Sequence, residues 1–242
     1  MADDAPSRYE FRSVVAGVET FPSALAMPRH HHNEGCATVV LRGGCFQASF
    51  AGRMRAEPGD VLLHGRFDCH LNRRATQRSL QILLLPWRRD ALEGLYRVRD
   101  PDALARLAES DPELAAEELY EQLRPSMPCD RYWVDDLATA LQTIPLFPLQ
   151  EWAETHGLRP DTVSRVFGIE FGVSPKRFRL ESRTRLAWRE IVRSSQPLTD
   201  IAFETGFSDL AHLSRSIRAF TGYSPKLWRE SRFKAAPRSC VE

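Results

Sequence analysis

Residues 197–225 read PLTDIAFETGFSDLAHLSRSIRAFTGYSP, and residues 148–175 read PLQEWAETHGLRPDTVSRVFGIEFGVSP. The two stretches are copies of one unit. The Leu, Ala and Gly of the first half recur 49 positions apart, and the Ser-Arg and Ser-Pro pairs of the second half recur 50 positions apart. A repeat of this period is typical of one supersecondary unit used twice. The repeat therefore decides the fold of the C-terminal part of the chain.

Each copy predicts a helix, a short turn and a second helix. Apolar residues at helical spacing lead to Gly157 and Gly206, where we expect the left-handed backbone that ends many helices. The second helix begins near Pro160 or Asp209, and both residue types suit a first turn. A helix-turn-helix of this kind places its second helix in the major groove of DNA.

An arginine follows the buried position of each second helix. Arg165 and Arg215 would therefore point outward, and arginine is the usual bidentate reader of guanine. The alternative is a pair of helical hairpins from an α-solenoid. A solenoid gives no reason to repeat Ser-Arg on an exposed face, so the pattern favours two DNA-reading units.

The region of residues 147–233 resembles the DNA-binding domain of the AraC/XylS family of bacterial transcription regulators. The resemblance is closest over residues 197–202, 206–209, 212–215, 220 and 222–225, and it is looser in the first copy. It implies two helix-turn-helix units bridged by a long helix at about residues 175–192, with two recognition helices in adjacent major grooves about 34 Å apart. It also places DNA-binding residues at Asp161, Thr162, Ser164, Arg165, Leu210, Ala211, His212 and Arg215.

The charge of the chain is unevenly distributed. The 242 residues carry a formal net charge of +1, but residues 146–242 hold 16 Lys and Arg against 11 Asp and Glu, which leaves the preceding part at −4. A basic C-terminal part fits phosphate binding, although ordinary solvated charge would also explain so modest an imbalance.

No segment of the sequence predicts export or a membrane span. No apolar run approaches the roughly 18 residues that a span needs, and residues 1–10 are too polar and acidic for a signal peptide. The five cysteines include no Cys-x-x-Cys pair, which favours reduced thiols. We therefore expect a cytoplasmic protein of two domains.

The N-terminal part predicts an antiparallel β-sandwich or barrel. Short runs rich in Val, Leu, Phe and Thr alternate with turn residues at about residues 9–15, 37–41, 45–50, 61–64 and 80–85. The stretch PRHHHNE at residues 28–34, and PGDV at residues 58–61 ahead of His70, resemble the two motifs of a small cupin barrel. The resemblance covers about residues 9–85 and implies a sensor domain.

Several side chains in these motifs offer donors to a ligand, namely His30, His32, Glu34 and His70. Cupin enzymes hold a divalent metal with two His and a Glu from the first motif and a His from the second, and such donors suit iron, zinc or manganese. Here the Glu follows the histidines too closely for that motif, although a strand would still place all three on one side. We assign the four residues to an effector pocket, with no metal and no cofactor. A metal site, or satisfied and solvated histidines, are the alternatives. Nearby cysteines are interpreted as buried apolar thiols, with a redox switch as the alternative: Cys36, Cys45 and Cys69.

A helical linker is predicted between the two parts. Asp-Pro pairs begin amphipathic stretches at residues 100 and 111, and a third covers about residues 130–143. Their apolar faces either pack on the β-domain or form a dimer interface. Prolines at positions 145 and 148 break the chain, so the predicted domains are a cupin-like sensor at 1–95, a linker at 96–145 and an AraC-type DNA-binding domain at 146–235.

The sequence thus predicts an α+β two-domain protein: a cupin-like β-barrel, a helical linker, and an all-α domain with two helix-turn-helix motifs. The predicted function is sequence-specific, DNA-binding transcription regulation, modulated by a small-molecule effector and without enzymatic activity. Expected partners are double-stranded promoter DNA, the effector, a second copy in a homodimer and, for an activator, RNA polymerase, but no membrane. Two alternatives stay open: a metal-dependent cupin enzyme, and a regulator whose degenerate barrel only dimerises.

Overall fold

The computed structural model describes residues 15–22, 27–76, 78–89, 92–126, 131–144 and 147–231. The predicted strand at residues 9–15 lies outside this range, apart from its last residue. The strands of the described part are β1 Gly17–Phe21, β2 Met27–His30, β3 Cys36–Arg42, β4 Cys45–Ser49, β5 Gly52–Ala56, β6 Asp60–His64, β7 His70–Arg74, β8 Leu80–Pro86, β9 Gly94–Arg97 and β10 Arg124–Pro125. The helices are α1 Pro101–Ala108, α2 Pro112–Gln122, α3 Trp133–Thr143, α4 Leu149–Thr155, α5 Pro160–Phe171, α6 Pro175–Arg193, α7 Leu198–Glu204, α8 Leu210–Thr221 and α9 Pro225–Ser231. None of them is both long enough and apolar enough to cross a membrane.

The strands form two antiparallel sheets. A six-stranded sheet has the order β1-β8-β3-β6-β9-β10, and a four-stranded sheet has the order β2-β7-β4-β5. Two facing sheets agree with the predicted antiparallel β-domain. No closed barrel is found in the described part of the chain, so the cupin-barrel expectation is not confirmed.

Both faces of the six-stranded sheet are buried. One side of the sheet and residues of β4 and β5 share an apolar core, to which Val40, Leu62 and Ile82 contribute. The other side packs on α1 and α2. Successive residues of a strand point to opposite faces, and Val39 next to Val40 accordingly joins this second core. Strands buried on both faces become almost continuously apolar, as β6 and β8 are.

The first two linker helices begin where the sequence predicts. The carboxylates of Asp100 and Asp111 accept hydrogen bonds from the backbone N–H groups of Ala103 and Leu114, at 2.9 and 3.0 Å. Each aspartate is thus an N-cap, and a proline takes the first helical position. Leu104 in α1 and Leu119 in α2 are fully buried against the six-stranded sheet. The apolar faces of α1 and α2 therefore pack on the β-domain, which is one of the two arrangements that the sequence left open.

The described residues divide into two compact units. One unit holds the residues up to Ala140 together with Leu149–Pro175, and therefore contains both sheets and the first sequence repeat. The other holds Leu141–Pro148 and the residues from Lys176 onward, and therefore contains the second repeat. The assignment of a sensor domain to residues 1–95, a linker to 96–145 and a DNA-binding domain to 146–235 remains a prediction.

Both repeats form the predicted pair of helices. The turns contain Gly157 with φ 64° and Gly206 with φ 77°, so the expected left-handed conformation is confirmed at both. Ala153 in α4 and Ala202 in α7 are buried. Their small side chains let the second helix of each pair cross closely. The bridging helix α6 runs from Pro175 to Arg193, within one residue of its predicted end.

Candidate functional site

The recognition helix of the first repeat is α5. Val163 and Phe167 are fully buried, and this pair fixes the rotation of the helix about its axis. Of the predicted DNA-binding residues on this helix, Asp161, Ser164 and Arg165 are exposed and Thr162 is half-buried. The structure therefore places all four on the side of α5 that does not pack into the core.

A carboxylate stands at the start of this surface. Arg159 Nε donates to Asp161 Oδ1 at 3.2 Å, and this hydrogen bond lowers the pKa of the Asp161 carboxyl. Asp161 is therefore ionised at neutral pH, and the adjacent guanidinium offsets its repulsion of a DNA phosphate. An ionised carboxylate can accept a hydrogen bond from cytosine N4.

The recognition helix of the second repeat is α8. Leu210, Ala211 and Arg215 are exposed, and His212 is half-buried. Leu213 and Ile217 are fully buried and orient the helix as Val163 and Phe167 orient α5. The predicted positions thus lie together on the free side of α8 as well.

The start of α8 is tightly hydrogen bonded. Asp209 Oδ1 accepts from the backbone N–H of His212 at 2.6 Å, and its Oδ2 accepts from the hydroxyl of Ser208. These two bonds lower the pKa of the Asp209 carboxyl. The His212 ring lies 3.1 Å from the Ser208 hydroxyl and packs edge-on against Phe207, with the ring centroids 5.1 Å apart. These contacts therefore fix the orientation of the His212 ring.

The long helix α6 supports the second repeat at its turn. The guanidinium of Arg183 donates to the carbonyl of Gly206 at 2.5 Å and lies over the Phe207 ring, 5.4 Å from its centroid. Sequence reasoning missed Arg183, because nothing in its neighbourhood of alternating charged and apolar residues distinguishes it from a solvated arginine.

The β-domain contains a cavity of about 110 Å³ between its two sheets. The six-stranded sheet supplies an apolar wall that includes Leu62, Ile82 and Leu84. The four-stranded sheet supplies the polar wall, with His30 and His70 among its residues, and His32 from the following loop also lines the cavity. An apolar cavity with a few converging polar groups is the usual form of a small-ligand site.

Four histidines converge on this cavity or border it. The ring centroids of His30 and His70 lie 4.4 Å apart, and those of His32 and His70 lie 5.4 Å apart. His64 stacks on His70 at 4.1 Å. Burial, followed by the neighbouring imidazoles, holds the pKa of His70 well below its ordinary value, so His70 is neutral at neutral pH.

In three of these histidines, Nδ1 lies within hydrogen-bond distance of an oxygen. Nδ1 of His30 lies 2.8 Å from the Pro28 carbonyl, and Nδ1 of His70 lies 3.0 Å from the Asp68 carbonyl. Nδ1 of His64 lies 2.9 Å from the carboxylate of Asp68. A carbonyl can only accept, so Nδ1 carries a hydrogen in both His30 and His70, and the neutral ring of His70 has its lone pair on Nε2.

The structure separates the predicted Glu34 from this cluster. Strand β2 ends at His30 and the chain bends at residues 33 and 34, so the alternation expected along one strand stops before Glu34, which is exposed and does not line the cavity. His31 turns the other way: it is fully buried, lies 3.6 Å from the thiol of Cys69 and packs on Phe67.

Two residues that sequence reasoning missed are His64 and Asp68, both 2% exposed. The two residues are four positions apart and follow shortly after the Pro-Gly-Asp element. That spacing was the signal in the sequence that could have indicated a His-Asp pair. The cysteines near the histidines are buried. Burial raises the pKa of the Cys36 and Cys45 thiols to about 12, which fits the expected inert thiols and argues against a redox role for these two.

The outer face of the four-stranded sheet contacts the C-terminal end of α5. Arg73 donates to the carbonyls of Ile169 and Glu170, the latter at 2.9 Å. Arg29 donates to the carbonyl of Phe171 at 3.2 Å. These carbonyls belong to the last turn of a helix, where they lack helical partners and attract cations. The contact therefore anchors the first recognition helix by its backbone.

A further ion-pair network strengthens this contact. Arg53 forms a bidentate pair with the buried carboxylate of Asp135, at 2.9 and 3.0 Å, and lies 3.5 Å from Glu170 in α5. A groove of about 380 Å³ beside it is lined by Arg53, Arg73 and Arg74. Because carboxylates and backbone carbonyls occupy these guanidinium groups, the groove has a structural role.

Comparison with protein families gives a match in the C-terminal part of the chain. Residues 152–231 match a family described as a helix-turn-helix domain. The HTH-type transcriptional regulator ExsA of Pseudomonas aeruginosa is 30% identical over 84 residues, which are 35% of this chain and 30% of that protein. The virulence regulon transcriptional activator VirF of Yersinia enterocolitica is 30% identical over 77 residues, 32% of this chain and 28% of that protein. The chain thus matches less than a third of the length of these relatives.

Among solved structures, unsaturated fatty acid bound ToxT from Vibrio cholerae aligns with a TM-score of 0.40 and 10% identity, over 93% of this chain and 97% of that one. A transcriptional regulator with an AraC-type DNA-binding domain from Chromobacterium violaceum aligns with a TM-score of 0.39 and 21% identity, over 43% of this chain and 94% of that one.

Proposed function

We propose that this chain, whose residues 152–231 match a family described as a helix-turn-helix domain, is a sequence-specific DNA-binding transcription regulator of the AraC/XylS type. One observation carries the proposal. Each of two repeated helix pairs presents the same Ser-Arg position on the free side of its second helix, with the preceding apolar residue fully buried. A structural repeat alone would not require an exposed arginine twice.

Arg165 and Arg215 are the proposed base-reading residues. Around them, the other groove-facing positions are Asp161, Thr162, Ser164, Leu210, Ala211 and His212. A bidentate arginine–guanine contact contributes about 1–3 kcal/mol of discrimination. The partners that follow are promoter DNA, a second copy of the chain on a two-part operator and, for an activator, RNA polymerase. A promoter-binding bacterial protein acts in the cytoplasm.

The test is a gel shift and footprint on the promoter beside its own gene. Arg165→Ala and Arg215→Ala should each lower specific affinity about 5- to 150-fold at fixed salt, and each should relax the base preference at one position. Arg106→Ala removes the same charge from an exposed position on α1 and should leave affinity within twofold. Equal losses for all three variants would mean that α5 and α8 read no bases.

The cavity in the β-domain is the proposed effector site, with His30, His32 and His70 as its polar contacts. Glu34 was expected there, but the exposed position of its side chain argues against it. A route to the DNA reader is present within the same compact unit. His70 and Asn72 of β7 line the cavity, whereas Leu71 and Arg73 of the same strand contact the end of α5. An effector that moves β7 would therefore act on the anchor of the first recognition helix, provided that it binds two states with different affinities.

A further inference from the structure

We propose that the cavity of the β-domain binds a small primary amine in its protonated form, with Glu19 as the opposite charge and Gln47 and Asn72 as hydrogen-bond acceptors. The proposal rests on the effector pocket proposed above and names the chemical class of the effector. Three properties of the lining lead to it, namely its charge, its acceptors and its size.

The cavity contains a carboxylate that no lysine or arginine of the lining balances. Glu19, a half-buried residue of the edge strand β1, is the one carboxylate among the described residues that line the cavity, and none of these residues is a lysine or an arginine. Within the described part of the chain, Glu19 forms no ion pair. An organic anion would therefore be repelled, whereas a cation would be attracted. In a site shielded from water this attraction acts over several ångströms, so Glu19 need not touch the ligand.

Two carboxamide side chains are neighbours on the wall of the four-stranded sheet. Gln47 of β4 lies directly opposite Asn72 of β7 in the pairing of these strands, and both residues line the cavity. Gln47 Oε1 and Asn72 Oδ1 are buried, and neither accepts a hydrogen bond from any residue in the described ranges. A buried acceptor that meets no donor destabilises a protein. A ligand with several N–H donors would remove this cost at both positions.

His70 provides a further acceptor on the same wall. Its Nδ1 donates to the Asp68 carbonyl, 3.0 Å away, and burial with the neighbouring imidazoles holds its pKa well below the ordinary value. The neutral ring has its lone pair on Nε2 and carries no charge that would repel a cation. An alkyl ammonium, like that of lysine, keeps its proton at neutral pH and offers three N–H donors and no acceptor. It therefore suits a wall of acceptors better than a hydroxyl group, which offers one donor.

The apolar wall and the volume limit the rest of the ligand. Leu62, Ile82 and Leu84 belong to this wall, and the cavity measures about 110 Å³. An apolar cavity of about 150 Å³ in another protein accepts benzene, so this one takes a hydrocarbon group of roughly four to seven carbons. The ligand is therefore a monoamine with a short chain or a single ring. A polyamine does not fit, because its second ammonium would be buried against leucines without a partner.

The test measures the binding of matched ligands to the full chain by isothermal titration calorimetry at neutral pH. Benzylamine is compared with benzyl alcohol and benzoate, and n-butylamine with 1-butanol and butyrate. Each set keeps the hydrocarbon part and changes the charge of the polar group. We expect one of the two amines, or both, to bind at least about tenfold more tightly than the matching alcohol, and neither carboxylate to bind measurably. If neither amine reaches a tenfold preference, or if a carboxylate binds more tightly than its amine, the proposal is overturned.

Variants at charged positions then locate the amine. Glu19→Gln should raise the Kd of the preferred amine at least about tenfold and leave that of the matching alcohol within about twofold. Glu117→Gln removes the same charge from an exposed position on α2, which packs on the other side of the six-stranded sheet, and should leave both values within about twofold. Circular dichroism checks that each variant is folded. Equal losses for the two variants would mean that net charge alone attracts the amine, and would refute the site.

Gln47→Met separates the role of the acceptor from a role in folding. Methionine has nearly the size of glutamine but no carboxamide, so this variant should weaken binding of the amine at least about fivefold. The oxygen that it removes has no donor among the described residues, so the Tm of the ligand-free protein should stay unchanged or rise. A lower Tm would show that Gln47 supports the fold, and unchanged amine binding would show that it contacts no ligand. Either result contradicts its assignment as an acceptor for the amine.

The promoter gel shift, run with and without the preferred amine, distinguishes this proposal from the proposed function. Specific DNA binding by a protein that shows no preference for amines would refute the amine site and keep the regulator. Amine binding that depends on Glu19, without any specific DNA binding, would keep the site and refute the regulator. If both hold, we expect the amine to change the affinity for the promoter in the wild type and not in Glu19→Gln.

Discussion

Two equivalent glycines offer a direct measure of the contact between the β-domain and the first recognition helix. Gly172 ends α5 with φ 75°, and Gly222, at the same position of the second repeat, ends α8 with φ 81°. A Cβ at Gly222 would meet nothing within 4 Å, whereas a Cβ at Gly172 would lie 2.8 Å from Leu71 Cδ2 and 3.4 Å from Arg29 Cβ.

Alanine at either position has the same backbone cost, about 1 kcal/mol or slightly more for an L-residue in the left-handed region. Gly222→Ala should therefore lower the free energy of unfolding by about 1 kcal/mol. Gly172→Ala should cost about 2 kcal/mol, because the end of a buried leucine must also move, and overpacking of this kind costs on the order of 1 kcal/mol.

The assay is urea unfolding followed by circular dichroism, with each glycine variant made in the wild type and in a Leu71→Ala background. In that background the two glycine substitutions should cost nearly the same, so the double-mutant cycle should give a coupling of about 1 kcal/mol for Gly172 and none for Gly222. If Gly172→Ala costs the same with and without Leu71, α5 does not rest on β7 in solution.

Two further predictions concern the linker and the thiols. Asp111→Ala should lower stability by about 1 kcal/mol in urea unfolding because α2 loses its N-cap, and Asp111→Asn, which keeps a cap, should lose far less; equal losses would contradict the cap. In native protein at pH 8.5, Cys36 and Cys45 should stay unlabelled by iodoacetamide for hours, as judged by peptide mass spectrometry, because burial raises their pKa to about 12 and keeps both thiols neutral. Above about pH 9 these two thiols lose their protons in the unfolded chain but keep them in the folded protein. The free energy of unfolding should therefore fall as the pH rises above 9. Rapid native labelling would contradict the buried thiols.

The C-terminal fold was largely predictable because its signals are local. Gly157 and Gly206 mark their turns through a backbone requirement that few other residues meet. Asp209 marks a helix start because its carboxylate accepts a hydrogen bond from a backbone N–H of the first helical turn. A second copy of the unit removed most of the remaining ambiguity.

The four-stranded sheet was much harder to predict. Strand β7 reads HLNRR, and β5 reads GRMRA. Neither contains Val, Ile or Thr, so neither has the composition of a strand. β7 moreover pairs with β2 and β4, which are distant in the chain, whereas β5 pairs with β4 in a local hairpin. The candidate site shows the same limit: Glu34 was assigned from the cupin resemblance, with strand alternation in support, whereas the chain leaves the strand at His30.

The alternation of β7 has a consequence for how such a protein can diverge. His70 and Asn72 line the cavity, whereas Leu71 and Arg73 belong to the anchor of α5. Substitutions at positions 70 and 72 can therefore change the lining of the cavity while the anchor stays intact. Insertion or deletion of one residue would exchange the two sets and destroy both at once. Related chains should therefore vary in side chain along β7 but keep its length.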